Sequence, residues 1–192
     1  MKIVEQKVDF INHMGDDLTV VNVARVSFDK ASEWEVIEGN MNPWADQFRL
    51  SLKDEKLIKY LAEHGHWSPF SHCFLQFRIK APIFVARQLV KHQVGLAWNE
   101  VSRRYVDSEP EFYFPEYWRK RADNIKQGSS DEAVNVVLEG MDYCEDVPCE
   151  ATWTSLETYQ RMLNLGVCPE QARVVLPLNV MTEWYWRRSR RR

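Results

Sequence analysis

The sequence lacks the features by which membrane and secreted proteins are recognised. No stretch of its 192 residues approaches the roughly 18 consecutive apolar residues that a membrane-spanning helix needs. The first ten residues, MKIVEQKVDF, also lack the apolar segment of a secretory signal peptide. We therefore expect a cytoplasmic protein, in the host cytoplasm if the source is a virus, and no membrane partner.

Cysteine is scarce, and its spacing fits no disulfide framework. The four cysteines are Cys73, Cys144, Cys149 and Cys168, with no C-x-x-C pair among them. A chain of this length does not depend on disulfides to fold, so we expect reduced thiols, most of which pack as small core residues. The pair Cys144 and Cys149 leaves a metal site or a cross-link open as an alternative, but we predict no metal.

The common nucleotide-binding and nucleophile motifs are missing as well. The chain contains no G-x-G-x-x-G, no Walker loop and no G-x-S-x-G. Ser102 has His92 ten residues away but no visible third member of a catalytic triad. We expect the hydroxyl or the backbone N–H of Ser102 to bind a phosphate rather than to attack a substrate.

Charge is unevenly distributed along the chain. The last six residues, RRSRRR, contain five arginines, and because the net charge is −3, residues 1–186 carry −8. Such a tail can bind nucleic acid or an anionic surface, but it is equally typical of an altered reading frame. The acidic body of the chain argues against nucleic acid, which we do not expect as a partner.

Hydrophobic periodicity predicts an α+β fold, a single domain with an antiparallel or mixed sheet packed by helices. Strands are predicted in KIVEQKVDFI, HCFLQFRIK and NVMTEWYW. Helices are predicted in DDLTVVNVARVSF, in SLKDEKLIKYLAEHG with a Ser51/Asp54 capping box, from Pro82 until Gly95, once or twice between residues 129 and 166, and briefly from Pro169. Residues 108–130 are expected to form a surface connection.

Polar side chains are densest between Gln88 and Tyr105, directly after the apolar segment APIFVARQLV. Arg104 and Arg173 offer planar forks that suit a phosphate if the fold brings them together. Gln88 and Asn99 donate and accept hydrogen bonds at once, as the edge of a pyrimidine requires. These residues predict a nucleotide site, and the alternative is that the arginines are merely ion-paired near Glu100.

Histidines cluster in the segment HGHWSPFSH. His64, His66 and His72 have a spacing that a zinc site can use, but the stretch itself contains no carboxylate to complete the ligand set. We favour His66 as a polar group that faces a ligand and His72 as a structural histidine.

Five ordered segments give this chain a family resemblance. NEVSRRY resembles the N-E-x-S-x-R-Y half of the signature of flavin-dependent thymidylate synthases. HMGDDLTVVNVARVSF, HGHWSPFSH, KAPIFVARQLVKHQ and ARVVLPLNVMTEWYW resemble the same family in the same order, from about residue 10 to Trp186. The chain is identified as a member on these segments, with residues 1–186 as the family domain and residues 187–192 as a basic tail.

The resemblance implies a flavoprotein methyltransferase of dTMP biosynthesis. It implies that dUMP is methylated reductively at C5, with FAD as hydride carrier, NADPH as reductant and methylenetetrahydrofolate as carbon donor. It also implies a homotetramer in which each active site is assembled from several subunits. The flavin does the difficult chemistry, and the protein orients it and polarises the uracil.

The resemblance also implies roles for individual residues. The dUMP-binding positions are Gln88, Glu100, Ser102, Arg103, Arg104 and Arg173, of which Ser102, Arg104 and Arg173 are the catalytic set. The FAD-binding positions are Ser27, His66, Ser68, Lys91, His92, Gln93 and Asn99.

Three departures from the family pattern affect these expectations. Lys91-His92-Gln93 stands where the family has Arg-His-Arg, and one extra residue lies between His92 and Ser102. The family continues past TEWYW into a helix with further flavin contacts, whereas this chain reads RRSRRR. We therefore expect the fold to be retained and flavin or dUMP binding to be impaired. The alternatives are a non-catalytic nucleotide-binding relative and, from another class, a nucleic-acid-binding module that uses the tail.

Overall fold

The computed structural model describes residues 1–37, 48–123, 128–134, 136 and 147–189. Three of the expectations above fall outside the described residues. They are the state of the Cys144 thiol, the helix expected over residues 137–146, and the end of the basic tail, residues 190–192.

Five helices lie in the described part of the chain, and side chains cap the first two of them. They are α1 (Asp17–Arg25), α2 (Leu52–Glu63), α3 (Ile83–Leu89), α4 (Val147–Asn164) and α5 (Pro169–Ala172). Asp16 caps α1 with a full capping box, in which Thr19 N–H donates to the Asp16 carboxylate at 2.8 Å. No described helix is both long enough and apolar enough to cross a bilayer.

Ten strands form one larger sheet and three strand pairs among the described residues. The strands are β1 (Lys2–Ile3), β2 (Lys7–Met14), β3 (Glu35–Val36), β4 (Phe48–Arg49), β5 (Phe74–Pro82), β6 (Leu96–Glu100), β7 (Glu111–Phe112), β8 (Trp118–Arg121), β9 (Ser129–Val134) and β10 (Met181–Ser189). The larger sheet has the order β2-β5-β10-β6. β1 pairs with β7 in parallel, whereas β3–β4 and β8–β9 are antiparallel. The predicted α+β class is therefore confirmed.

The chain forms two compact units, each with its own hydrophobic cluster. Unit 1 comprises residues 1–7, 80–91 and 100–184, and unit 2 comprises residues 8–79, 92–99 and 185–192. In unit 1 the buried residues Phe112, Leu156 and Val180 pack together. In unit 2 the cluster is formed by Val20, Leu61 and Cys73.

A tight turn in unit 2 explains one glycine between β2 and α1. Gly15 has φ +76°, in the left-handed region that favours glycine, and a Cβ there would lie 2.9 Å from the Cys73 Sγ atom. The buried Cys73 thus packs directly against the backbone just before α1 begins, which is the core role expected for this thiol.

A buried ion pair ties α1 to α2. Asp54 is only 3 % exposed and accepts hydrogen bonds from Arg25, with Nε at 3.0 Å, and from the Ser51 hydroxyl at 2.8 Å. Ser51 caps α2 as predicted, but the Asp54 carboxylate bonds Arg25 instead of completing the expected capping box. Burial by itself raises the pKa of Asp54, and the hydrogen bonds from Arg25, Ser51 and Ser32 outweigh it and lower that pKa.

This lowered pKa predicts a specific sensitivity to acid. Because the folded pKa of Asp54 lies below that of the unfolded chain, its contribution to stability is complete above about pH 4 and is lost as the pH falls through the folded pKa. We expect the urea midpoint of the protein to fall as the pH drops below about 4. Asp54→Asn should flatten that fall, and an equally steep fall in this variant would contradict the assignment.

Several predicted elements differ from the structure. The opening strand is split into β1 and β2, and the connection over residues 108–130 contains β7 and β8. The helix predicted from residue 129 is wrong over Ser129–Val134, because this segment pairs with β8 as an antiparallel strand. β10 continues to Ser189, three residues beyond the end of the strand predicted in NVMTEWYW.

The helix predicted from Pro82 to Gly95 is shorter than expected. α3 ends at Leu89, so Lys91 and His92 do not share a helical face with Arg87 and Gln88. Its first two N–H groups donate to the carbonyl oxygens of Val180, at 3.0 Å, and Leu178, at 3.1 Å. The helix therefore begins against the segment just before β10. The chain turns again at the start of β6, where Leu96 N–H donates to the Gln93 carbonyl oxygen.

Candidate functional site

Unit 1 contains a cavity of about 540 Å³ that gathers three of the predicted dUMP-binding residues. Glu100 from the end of β6, Arg103 from the following turn and Arg173 from the turn after α5 all line it. Leu176 contributes an apolar wall. The charged lining is balanced, with four cationic and four carboxylate side chains: Lys2, Lys80, Arg103, Arg173, Glu100, Glu109, Glu111 and Glu183.

The turn after β6 holds its polar side chains by local hydrogen bonds. Tyr105 N–H donates to the Ser102 carbonyl oxygen at 3.0 Å and closes the turn. Arg104 Nε donates to the Ser102 hydroxyl at 3.0 Å, and the Arg104 guanidinium lies over the Tyr105 ring, 5.0 Å from its centroid. Arg103 donates to the Ser108 carbonyl oxygen at 2.9 Å. The bonds from Arg103 and Arg104 each use one of the five N–H donors of a guanidinium.

Glu100 and Arg173 are also fixed from one side. The Thr182 hydroxyl of β10 donates to the Glu100 carboxylate at 2.7 Å. Arg173 Nε donates to the Glu170 carbonyl oxygen at 3.1 Å, within the turn that follows α5. These contacts orient the two side chains, and the terminal nitrogens of Arg173 stay available to a ligand in the cavity.

Within the part of the chain that the structure describes, Arg103, Arg104 and Arg173 form no ion pair with a carboxylate. The alternative, in which these arginines are ion-paired with neighbouring carboxylates, is therefore not supported. A guanidinium without a carboxylate partner is suited to bind an anion such as a phosphate.

A lysine–carboxylate cluster forms another part of the cavity wall. Glu111 of β7 accepts hydrogen bonds from Lys2 of β1 and Lys80 of β5. The bonds from Lys2 and Lys80 hold the pKa of the Glu111 carboxyl below its ordinary value, although partial burial opposes them. Neither Lys80 nor Thr182 was predicted as a site residue. The sequence signal for Lys80 is a charged residue that stands directly before the apolar segment APIFVA.

Three of the predicted dUMP-binding residues do not line the cavity: Gln88, Ser102 and Arg104. Ser102 and Arg104 lie in the turn beside Arg103, whereas Gln88 belongs to another element. It is exposed on α3 and is not part of the cavity lining. Its predicted contact with the uracil edge stays a prediction.

The seven predicted FAD-binding residues are all exposed, and six of them belong to unit 2. Ser27 lies on the turn Val26–Phe28, His66 and Ser68 precede the turn Pro69–His72, and His92, Gln93 and Asn99 lie between α3 and the end of β6. Lys91 belongs to unit 1. No hydrogen bond or ring contact joins any two of these side chains within the described residues, so their convergence stays a prediction.

These residues fit the chemistry that a flavin requires. Among the described residues, none of the seven side chains uses its polar atoms in a hydrogen bond to another part of the chain. Hydroxyl, imidazole, amide and ammonium groups are thus available to a diphosphate and to the polar edge of a planar ring.

Two of the three histidines of HGHWSPFSH, His64 and His66, make ring contacts, whereas His72 is exposed. Tyr60 stacks on His64 with 4.1 Å between centroids and on His66 with 6.0 Å. Nδ1 of His64 lies 2.9 Å from the Tyr60 carbonyl oxygen, as a donor tautomer requires. Among the described residues no three His, Cys, Asp or Glu side chains form a cluster that could hold a metal ion. The zinc alternative therefore finds no support there.

Comparison with known proteins agrees with this residue pattern. The sequence profile of the family described as "Thymidylate synthase complementing protein" matches residues 9–192. This chain belongs to the thymidylate synthase complementing protein family. The match includes the whole tail, residues 187–192, and all thirteen of the predicted site residues.

Curated relatives in this family carry the name flavin-dependent thymidylate synthase. The chain is 40 % identical over 190 residues to the one from Kosmotoga olearia, covering 97 % of this chain and 73 % of the relative. It is 37 % identical over 177 residues to the one from Thermosipho africanus, covering 92 % of this chain and 68 % of the relative. The chain thus spans about two thirds to three quarters of the length of these family members.

Solved structures support the same family fold. The UMP/dUMP methylase PolB from Streptomyces cacaoi bound with 5-Br dUMP superposes with a TM-score of 0.71 at 28 % identity, covering 97 % of this chain and 75 % of that chain. The same enzyme bound with 5-Br UMP gives a TM-score of 0.71 at 27 % identity, over 98 % of this chain and 74 % of that one.

Proposed function

We propose that this chain methylates dUMP at C5 to give dTMP. FAD is the proposed hydride carrier, NADPH the reductant and methylenetetrahydrofolate the carbon donor, and the reaction is proposed to take place in the cytoplasm. Family membership supports the reaction class, because its relatives are named flavin-dependent thymidylate synthases.

One observation carries the proposal to particular residues. Arg103 and Arg173 line a single cavity, and their guanidinium groups form no ion pair within the described residues. Two unpaired forks at one cavity match the charge and the planar geometry of a nucleotide phosphate. The neighbouring Arg104 is held by Ser102 and can bind the phosphate or the uracil.

The chain's own groups have distinct proposed tasks. Arg173 and Arg103 bind and orient the phosphate, and Ser102 adds its backbone N–H or hydroxyl. Arg104 stabilises the negative charge that develops on the pyrimidine ring, a contribution that grows when the site excludes water. Glu100, held by Thr182 at 2.7 Å, accepts hydrogen bonds from the sugar or the base.

FAD, when bound, supplies the hydride transfer that no side chain can perform. Ser27, His66, Ser68, Lys91, His92, Gln93 and Asn99 are proposed to hold it. Lys91 and Gln93 stand in for two arginines of the family pattern and retain one positive charge, so we propose weaker contacts with the flavin diphosphate than an Arg-His-Arg segment provides.

The test of this function is spectroscopic and chemical. The purified chain is incubated with FAD, and the flavin absorbance near 450 nm is followed while NADPH, dUMP and methylenetetrahydrofolate are added. Bound flavin that bleaches with NADPH and dUMP, together with formation of dTMP, supports the proposal. Flavin binding without dTMP formation supports the non-catalytic relative, and salt-sensitive binding of nucleic acid without flavin binding supports the remaining alternative.

We also propose that the protein self-associates as a homotetramer. β2 lies at one edge of the larger sheet among the described strands, and its apolar side chains Val8, Phe10, Ile11 and Met14 are exposed. Because an exposed apolar edge strand is a ready surface for another chain, a second copy is the proposed occupant. The resemblance to a tetrameric family supports this choice.

Charge placed on this strand should disrupt the assembly. Val8→Glu combined with Phe10→Glu is expected to lower the mass measured by light scattering from that of a tetramer to that of a smaller species. Leu165→Glu, at an exposed apolar residue after α4, is the control and should leave the mass unchanged. A tetramer that survives the double substitution contradicts the role of β2.

A further inference from the structure

The turn that carries Ser27 is unusual because it is both exposed and firmly anchored. Val26 and Phe28 flank Ser27 and are 70 % and 75 % exposed. The turn ends at Asp29, whose φ of +54° places it in the left-handed region. Apolar side chains held outward on a short turn are costly to leave in water, unless a ligand covers them.

Two anchors close the segment of residues 26–31 at its far end. Asn22 of α1 and Ser32 exchange hydrogen bonds: Ser32 N–H donates to Asn22 Oδ1 at 2.7 Å, and Asn22 Nδ2 donates to the Ser32 carbonyl oxygen at 3.0 Å. The Ser32 hydroxyl also donates to Asp54 Oδ1 at 3.1 Å. The anchors act on the backbone of Ser32 and on its side chain separately.

The buried Asp54 carboxylate joins the two ends of this segment. Its Oδ1 atom accepts from Arg25, the residue directly before the turn, and from Ser32, the residue directly after the segment. Its Oδ2 atom accepts from Ser51 at the start of α2. One buried carboxylate thus holds the residues at both ends of the exposed segment 26–31. Its bond with Ser51 belongs to the start of α2 instead.

We infer that Asn22, Ser32 and Asp54 are positioning residues that hold the Val26–Phe28 turn in shape for the flavin. This inference rests on the proposed function, in which Ser27 contacts FAD. The three residues do not touch the flavin themselves. They act by presenting the Ser27 hydroxyl and the apolar side chains of Val26 and Phe28 in one arrangement, so that binding does not have to order the turn.

The chain provides a matched control for the test. Ser32→Ala and the double variant Asn22→Ala/Ser32→Ala loosen the segment, whereas Ser51→Ala removes a hydrogen bond to the same carboxylate and the cap of α2 without touching the segment. Ser32→Thr keeps the hydroxyl. For each full-length variant we would measure the Kd of FAD by flavin fluorescence, the Kd of dUMP by calorimetry, the Tm, and hydrogen exchange of residues 26–31.

We expect the double variant to raise the Kd of FAD about tenfold and to speed exchange in residues 26–31, with the Kd of dUMP unchanged. Ser32→Thr should retain a Kd for FAD within about twofold of the parent. Ser51→Ala should lower the Tm without weakening FAD binding. If the double variant does not fold, Ser32→Ala decides alone.

Two results would overturn the inference. FAD binding by the anchor variants within twofold of the parent would show that the anchors do not matter for the ligand. An equal loss of FAD affinity in Ser51→Ala would show that only stability is involved. If the parent chain itself binds no FAD, the proposed function fails and this inference falls with it, which distinguishes that failure from the other two.

Discussion

Replacing Arg173 by alanine is expected to raise the Kd for dUMP roughly a hundredfold. Arg173 lines the cavity, its Nε is already used by the Glu170 carbonyl oxygen, and its two terminal nitrogens remain to form a fork on the phosphate. Loss of charge-assisted hydrogen bonds of this kind costs about 3 kcal/mol, which corresponds to that factor. Calorimetric titration with dUMP measures the effect directly, without any need for turnover.

Two further variants separate charge from geometry. Arg173→Lys keeps the positive charge and loses the planar fork, so we expect roughly a tenfold loss, intermediate between the parent and alanine. Arg119→Ala is the control, because Arg119 lies on β8 in an exposed ion pair, 3.7 Å from Asp131. A Kd for dUMP that is unchanged in Arg173→Ala, or equally raised in Arg119→Ala, would remove Arg173 from the phosphate site.

The second large effect is expected in the core of unit 1. Phe112 is fully buried and packs with Leu156 and Val180, and its carbonyl oxygen accepts from Val4 N–H at 2.9 Å. Phe112→Ala removes a large side chain from this cluster and should lower the free energy of unfolding by about 3–5 kcal/mol. For a chain of this size the Tm should then fall by roughly 6–20 °C.

The same substitution should also affect the cavity, because Val180 packs on Phe112 and lines the cavity wall. Phe112→Leu, which preserves much of the volume, is expected to recover most of the stability, within about 1.5 kcal/mol of the parent. Tyr117→Ala, at a half-exposed aromatic residue five positions later, should change the Tm by no more than a few degrees. A Tm loss in Tyr117→Ala as large as that in Phe112→Ala would mean that this core does not determine stability.

Local signals predicted the helices well where capping residues were present. Ser51 begins α2 as predicted, and Asp16 begins α1 by the same means, because an N-cap acts through hydrogen bonds within a few residues. The strand Ser129–Val134 was missed because its pairing with Trp118–Arg121 is a property of two segments together. Its own residues carry no strict alternation of apolar and polar side chains.

Prediction of the site also succeeded for local signals and failed for contacts between distant residues. Arginine, serine and glutamate in NEVSRRY pointed to an anion-binding turn, and the structure places Arg103 and Glu100 at one cavity with Arg173. The Glu100 carboxylate accepts a hydrogen bond from Thr182, 82 residues further along the chain, and no local pattern indicates such a contact. Asp54 likewise resembles an ordinary helix-capping residue in the sequence, and its bonds to Arg25 and Ser32 depend on how α1 and α2 pack.

The balanced charge of the cavity lining has a consequence for how a nucleotide arrives. Four cations and four carboxylates leave the cavity lining without a net formal charge. Salt screens their remaining field beyond about 8 Å at physiological ionic strength. An approaching dianion therefore feels little long-range attraction, and its encounter rate should vary only weakly with salt. Selection of the ligand is left to the moment of contact, when individual forks replace the shell of water around the phosphoryl group.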